Sequence, residues 1–211
     1  MRIFSLTLII FFIVGCSYSE APPPKVELPT VTEVVEEYNE ERQLEIERIK
    51  EEERRKAEER RVAEIAHYAD LMGLKHQYLD REKALKYSEI MLDVLEDYDF
   101  DPLWIISIMW VESTFRDHVV SHAGAVGLVQ IMPSTAAPHG ISREQLFDPS
   151  VNVEFGVMYL DYLVNRYDSL KMGTVAYNQG TGNIARGTYN TRYYSRVNST
   201  YRELKVLENQ L

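Results

Sequence analysis

LWIISIMWVESTF, Leu103–Phe115, is nearly all apolar and carries one carboxylate near its end, Glu112. Asp101-Pro102 stands just ahead of it. Asp caps free backbone N–H groups, and Pro suits the first helical position because its missing N–H costs nothing there. A helix over 101–115 follows. Ile105, Ile108, Met109 and Glu112 fall at i, i+3, i+4 and i+7, so Glu112 shares a stripe with apolar residues, the face a helix buries. Burial penalises a charged carboxylate and raises its pKa. A glutamate kept partly protonated near neutral pH can serve as a general acid. The other reading is a glutamate at the rim of the core, paired with a basic residue. The stretch alone leaves both open.

The neighbouring sequence is helical in pattern. Arg81 to Tyr98 carries Leu85, Ile90, Met91, Leu92, Val94 and Leu95. Asp148-Pro149 repeats the Asp-Pro start and opens a helix through Phe155, Met158, Tyr159, Tyr162 and Leu163. Strand signals are sparse and no internal repeat is present. The expected class is mainly α.

Ahead of this region the chain changes character twice. Ile3 to Val14 is an almost unbroken apolar run of about twelve residues, short for a membrane span and suited to a signal-peptide core. It ends in Ile13-Val14-Gly15-Cys16, which resembles the lipobox of bacterial lipoproteins; Cys16 would then be the lipidated first residue, anchoring the chain to a membrane surface. The alternative is an ordinary cleavable signal with an incidental cysteine. By the same resemblance, Ser17 in place of Asp favours the periplasmic face of the outer membrane. SYSEAPPPKVELPT reads as an extended tether. From Thr32 to Met72 runs a segment without Pro or Gly, dense in Glu, Arg and Lys. Glu45/Arg48, Glu51/Arg55, Glu52/Lys56 and Glu58/Arg61 are spaced for helical ion pairs. A heptad begun by Val31, Val35, Tyr38 and Ile49 meets Arg42, Glu45, Glu52 and Lys56 at seam positions, which leaves a coiled coil weakly supported beside a solvated single helix. About forty helical residues would reach roughly 60 Å. The expected organisation is a signal peptide over 1–15, a lipidated cysteine and tether over 16–31, a long charged helix over 32–75 closed by Gly73, and a catalytic domain over 76–211. The helix over 32–72 is a candidate for self-association or for an envelope partner.

Composition excludes several classes. The 211 residues carry a net charge of −10, which argues against nucleic acid as a partner. One cysteine allows no internal disulfide, and the five scattered histidines give no metal-ligand spacing. No metal or cofactor is expected.

Three further segments bear on chemistry: SHAGAVGLVQIMP (Ser121–Pro133), AYNQG (Ala176–Gly180) and TRYYSRV (Thr191–Val197). In the first, Gly124 and Gly127 mark sharp turning or close approach, and Gln130 sits among apolar neighbours. The second places Tyr177 and Asn178 before a glycine turn. Each is weak alone. In order, after Glu112-Ser113 and Phe115, they resemble the motif series of the soluble lytic transglycosylase family, over roughly 80–197. Val129 stands where that family usually has Met, and the stretch from Asn183 to Tyr194 is short, which puts the far end of the groove in doubt.

That resemblance implies a lysozyme-like, mainly helical domain acting on the glycan strands of peptidoglycan. It implies Glu112 as single acid/base. Ser113, Ser121, Gln130, Tyr177 and Asn178 would contact substrate or orient what does. Tyr194 matches the tyrosine whose hydroxyl points at the catalytic carboxylate, with Tyr193 adjacent. A single carboxylate suits cleavage in which the sugar's own 6-hydroxyl closes a 1,6-anhydro ring, whereas ordinary glycosidases use two. The rivals are a muramidase that uses water and a lipoprotein that binds glycan without cutting it.

Overall fold

A computed structural model describes residues 29–211. The signal-peptide reading, Cys16 and the tether up to residue 28 lie outside the described residues. The chain divides into two units, 1–52 and 53–211.

The described part of the first unit is helical. It opens the helix α1 (Val31–Lys75), and the entry is a capping box. Thr30 Oγ1 accepts from the Glu33 amide at 3.3 Å, while the Glu33 carboxylate accepts from the Thr30 amide at 2.6 Å. Val31, Val34, Val35, Tyr38, Leu44 and Ile49 are all exposed. The Glu45–Arg48 pair forms at 3.1 Å. Such exposed pairs contribute at most about 0.2–1 kcal/mol.

The second unit takes in the rest of α1. Ala69, Leu71 and Met72 are buried in its core, with Ile65 and Tyr68 packed beside them. The compact part therefore begins well before His76. Arg61 pairs with Asp93 and, at 3.8 Å, with Glu96, not with Glu58. Gly73 does not end the helix: burial of Leu71 and Met72 holds the last turn, and α1 continues to Lys75. The remaining helices are α2 (Arg81–Val94), α3 (Pro102–Ser113), the short α4 (Pro133–Ala136), α5 (Pro149–Tyr167), α6 (Leu170–Gln179), the short α7 (Thr181–Ala185) and α8 (Arg192–Glu208). Among the described residues there is no extended strand. Two isolated bridges, Val120–Val126 and Val126–Ile131, shape the loop between α3 and α4. The chain is mainly α, as the sequence indicates.

α3 is the centre. Asp101 caps it, accepting from the Leu103 amide at 2.9 Å. Every residue from Leu103 to Met109 is buried, so the apolar stripe is a full cylinder and not one face. Only the last turn, with Glu112, reaches the surface of the core. The helix stops at Thr114 (φ +52°), and Phe115 (φ +61°) also lies in the left-handed region. Two such non-glycine residues in succession store strain of about 1–3 kcal/mol each. Asp117 secures the chain beyond them. It accepts from the Tyr87 hydroxyl at 2.8 Å and Lys83 Nζ at 3.2 Å, and it pairs with His118. Burial alone would raise its carboxyl, but these partners outweigh it and hold the group at about 2.

The loop that follows is fastened by Asn152 of α5, which is fully buried. Its Oδ1 accepts from the Val129 amide at 2.9 Å, and its Nδ2 donates to Val126 O at 2.9 Å and Leu146 O at 3.0 Å. Gly127 (φ +84°) passes so close that an added Cβ would stand 2.4 Å from Asn152 Nδ2. Asn152→Ala would leave the Val129 amide and the Leu146 carbonyl without their partner, while Val126 O keeps the Ile131 amide at 2.9 Å. It is expected to destabilise the protein by about 2–4 kcal/mol and lower Tm by roughly 5–15 °C, read by calorimetry. An unchanged Tm would show that the loop does not depend on this residue.

Candidate active site

Glu112 lies in the last turn of α3, partly exposed. Burial pushes its carboxyl up to about 7, while the Tyr193 hydroxyl and the Arg196 guanidinium pull it down. Both belong to α8, one turn apart. Arg196 Nη2 reaches Val111 O at 3.4 Å, which tethers the guanidinium beside the residue preceding Glu112. The Tyr193 hydroxyl faces Glu112 but is closed off from solvent and has no partner at full hydrogen-bond geometry. The pair interacts electrostatically without a closed bond.

Tyr177 of α6 supplies the third group. Its hydroxyl donates to Val129 O at 2.9 Å, and the Glu112 charge acts on it. Burial and that charge keep both tyrosines protonated far above their ordinary range. They are neutral O–H donors beside a carboxyl that titrates near neutrality. The approach is tight: a Cβ on Gly156 of α5 would stand 2.5 Å from Val129 Cγ2 and 3.1 Å from the Tyr177 hydroxyl.

Tyr177 also lines a cavity of about 240 Å³ with Gln130, Met132, Tyr159, Asn178 and Gly180. Gln130 sits at φ +52°. Its Nε2 donates to Gly127 O at 2.9 Å and Val119 O at 3.3 Å, so the amide spans the loop while the side chain edges the cavity. Of the residues singled out in the sequence, Gln130, Tyr177 and Asn178 come together here, and Glu112 is linked to them through its charge on Tyr177.

Three do not take the expected places. Ser113 is buried; its hydroxyl donates to Met109 O at 3.0 Å and accepts from the Arg116 amide at 3.2 Å, so it fixes the end of α3 and cannot meet a ligand. Ser121 Oγ accepts from the Ala125 amide at 2.9 Å and closes the turn over 121–125. Tyr194 does not face Glu112. The buried face of α8 carries Tyr193, Val197, Thr200 and Leu204, and Tyr194, about 100° further round the helix, packs against Trp104 in a tilted arrangement with ring centroids 5.8 Å apart. Cys16 lies outside the described residues.

A profile described as "Transglycosylase SLT domain" matches residues 91–198, half of the chain. The chain belongs to the transglycosylase SLT domain family. It is 33% identical over 121 residues to the membrane-bound lytic murein transglycosylase C of Mannheimia succiniciproducens, covering 49% of this chain and 34% of that one. The protein of the same description from Edwardsiella ictaluri is 33% identical over 136 residues, covering 56% and 38%. The matched region thus spans little more than a third of those relatives. Among solved structures, lytic transglycosylase Slt from Pseudomonas aeruginosa is 21% identical with a TM-score of 0.44, covering 65% of this chain and 27% of that one. The 70 kDa soluble lytic transglycosylase of Escherichia coli is 24% identical with a TM-score of 0.40, covering 59% and 25%.

In this SLT domain the sequence left Tyr193 only as the neighbour of Tyr194, and it missed Arg196 and Asn152. Val197, Thr200 and Leu204 at helical spacing behind Tyr193 were the available signal for the first. The carboxylates that acid/base chemistry would most need to account for are otherwise engaged: Asp148 caps α5 through the Ser150 amide at 2.9 Å, and Asp161 accepts from Asn165 at 2.8 Å. Among the described residues no group of three or more His, Cys, Asp or Glu is arranged to hold a metal.

Two predictions follow from the electrostatics. Glu112 is raised in the fold from an ordinary value near 4.5 to about 7. The folded state thus holds its proton more tightly, so this contribution to stability is full below about pH 4.5 and is lost as pH rises to about 7. Glu112→Gln is expected to match wild type near pH 4 and to exceed it by about 1–2 kcal/mol at pH 8, allowing for partial exposure. Denaturant unfolding at both pH values measures this, and equal stability at pH 8 would refute it. Arg196→Gln and Tyr193→Phe should each raise the Glu112 pKa in a carboxyl NMR titration, whereas Tyr194→Phe should leave it in place.

Proposed function

We propose that the compact unit is a peptidoglycan lytic transglycosylase that cleaves the β-1,4 bond between N-acetylmuramic acid and N-acetylglucosamine. One observation carries the reading. Glu112 is a half-hidden carboxyl with a pKa of about 7, and the groups acting on it are the Tyr193 phenol and the Arg196 guanidinium, with no acidic partner among the described residues.

The chemistry suits that arrangement. Protonated Glu112 gives its proton to the glycosidic oxygen as the bond from C1 breaks. The carboxylate left behind takes the proton of the muramic acid 6-hydroxyl as that oxygen bonds to C1, closing the 1,6-anhydro ring. Atoms and charge balance with Glu112 reprotonated and no water consumed. A group near neutrality serves both halves, since neither protonation state is far in energy from the other. Arg196 and Tyr193 support the anionic form between the two transfers. Tyr177, Asn178 and Gln130 border the cavity that would take the glycan. The usual hydrolytic glycosidase adds a second carboxylate as nucleophile or base, and among the described residues no carboxylate acts on Glu112.

Anchoring belongs to the same proposal. A lipid on Cys16 would fix the chain to the periplasmic face of the bacterial outer membrane, with the tether and charged helix between membrane and enzyme. That curated relatives are described as membrane-bound supports this.

The test is mass spectrometry of soluble fragments released from purified peptidoglycan by wild type and by Glu112→Gln. The expected products end in 1,6-anhydro-muramic acid, and their rate of release falls by on the order of 10²–10⁴ in the variant. Fragments heavier by one water would make the enzyme a muramidase. Binding without fragments from wild type would leave a glycan-binding module. Tyr193→Phe should slow release more than Tyr194→Phe does.

A further inference from the structure

Gln179 is the last residue of α6 and stands between Asn178 and Gly180 in the wall of the cavity of about 240 Å³. Its side chain turns to the backbone of Asn190. Nε2 donates to Asn190 O at 2.7 Å, and Oε1 accepts from the Asn190 amide at 3.1 Å. An amide side chain carries donor and acceptor in one plane, so it meets both backbone groups of one residue at once, as a facing residue does in an antiparallel ladder. The Gln179 carbonyl also accepts from Asn183 Nδ2 at 2.7 Å, which ties α7 to the same point.

What this holds is the start of α8. Residues 186–190 are exposed, so burial does not place them. Thr191, at the helix entry, offers no side-chain cap. Asn190 does so instead: its Oδ1 accepts from the Arg192 amide at 3.0 Å, an Asx turn into the helix. One residue therefore takes the Gln179 amide on its backbone and steadies the first turn of α8 with its side chain. Tyr193 lies in that turn, and helix ends are where chains fray. Its hydroxyl stands at Glu112, closed off from solvent and without a closed hydrogen bond, so a small change in the helix start alters how the two meet. Arg196, one turn on, has its own tether at Val111 O. Tyr177, from α6, is fixed by Val129 O. Of these groups around Glu112, Tyr193 is the one placed by the start of a helix.

We propose that Gln179 is a positioning residue: through Asn190 it sets the first turn of α8, and thereby the placement of the Tyr193 hydroxyl against Glu112. It acts on the reaction only through that hydroxyl, which supports the anionic form of Glu112. Its bonds go to the backbone of Asn190, so the segment ahead of that residue is free to vary in length without moving α8. The placement of Tyr193 stands on the geometry; its value to catalysis rests on the proposed function.

The experiment follows the Glu112 carboxyl of the full chain by NMR across a pH titration, with Glu112→Gln to assign its resonance. Gln179→Met keeps the length of the side chain and removes both bonds to Asn190. Tyr193 stays on the buried face it shares with Val197, so its hydroxyl is displaced without water entering. The Glu112 pKa is then expected to rise, in the same direction as in Tyr193→Phe. In the Tyr193→Phe background Gln179→Met should add nothing further. An unmoved pKa overturns the proposal. So does a fall, which would mean that the helix start had opened to water, and so does an equal rise in both backgrounds, which would mean general loosening. Asn190→Ala, at an exposed position, cuts the second link and decides the matter where Gln179→Met fails to fold. It should raise the carboxyl, Asn190→Ser should restore it by keeping an acceptor, and no change in Asn190→Ala would overturn the proposal. Release of fragments from peptidoglycan should slow in Gln179→Met, and the double variant should be no slower than Tyr193→Phe alone. A wild type that releases no fragments would remove the proposed function and leave the carboxyl titration to decide the placement.

Discussion

α3 is a helix with no outside. From Leu103 to Met109 each side chain is enclosed, because α2, α5 and α8 leave it no solvent face until its last turn. A helix buried on all sides cannot slide or rotate without disturbing a close-packed interior. The first polar side chain after that buried cylinder is therefore held where core gives way to cavity. The depth that raises the Glu112 carboxyl is a property of the packing, and the site needs no dedicated device to produce it.

The second requirement is a loop brought to that helix end with its backbone polar groups satisfied. Asn152 meets it from within α5, pairing the Val129 N–H and the Leu146 carbonyl and adding a second donor to Val126 O, which the Ile131 amide already reaches. Gly127 gives it room, and Tyr177 then takes the Val129 carbonyl from the other side. The loop thereby shares a chain of hydrogen bonds with α5 and α6.

Much of this was legible in the sequence, for identifiable reasons. Two Asp-Pro pairs announced α3 and α5 because capping is local. One carboxylate in an apolar run pointed to Glu112 because burial of a charge is improbable without a use. Other features were hidden because they depend on tertiary packing. Asn152 looks like any polar residue on an amphipathic helix until its loop is folded against it. Ser113 and Ser121 sit at motif positions, but their hydroxyls are consumed by local backbone. Neighbouring tyrosines at 193 and 194 can be told apart only by the register of α8, which Val197, Thr200 and Leu204 set. Gly73 suggested an end to α1 that buried Leu71 and Met72 override. The length of the charged segment was readable, but not that its final turns join the core.

The successive left-handed residues Thr114 and Phe115 have a consequence for how such a chain can vary. They reverse the backbone at once after Ser113, with Phe115 buried and Asp117 locked to Lys83 and Tyr87. Lengthening or shortening the chain by one residue here would misalign the ion cluster, the aromatic anchor and the carboxyl together. The segment from Arg186 to Asn190 is exposed and carries only polar ties. Insertions and deletions across descendants of this sequence should therefore collect there and be absent between 112 and 117.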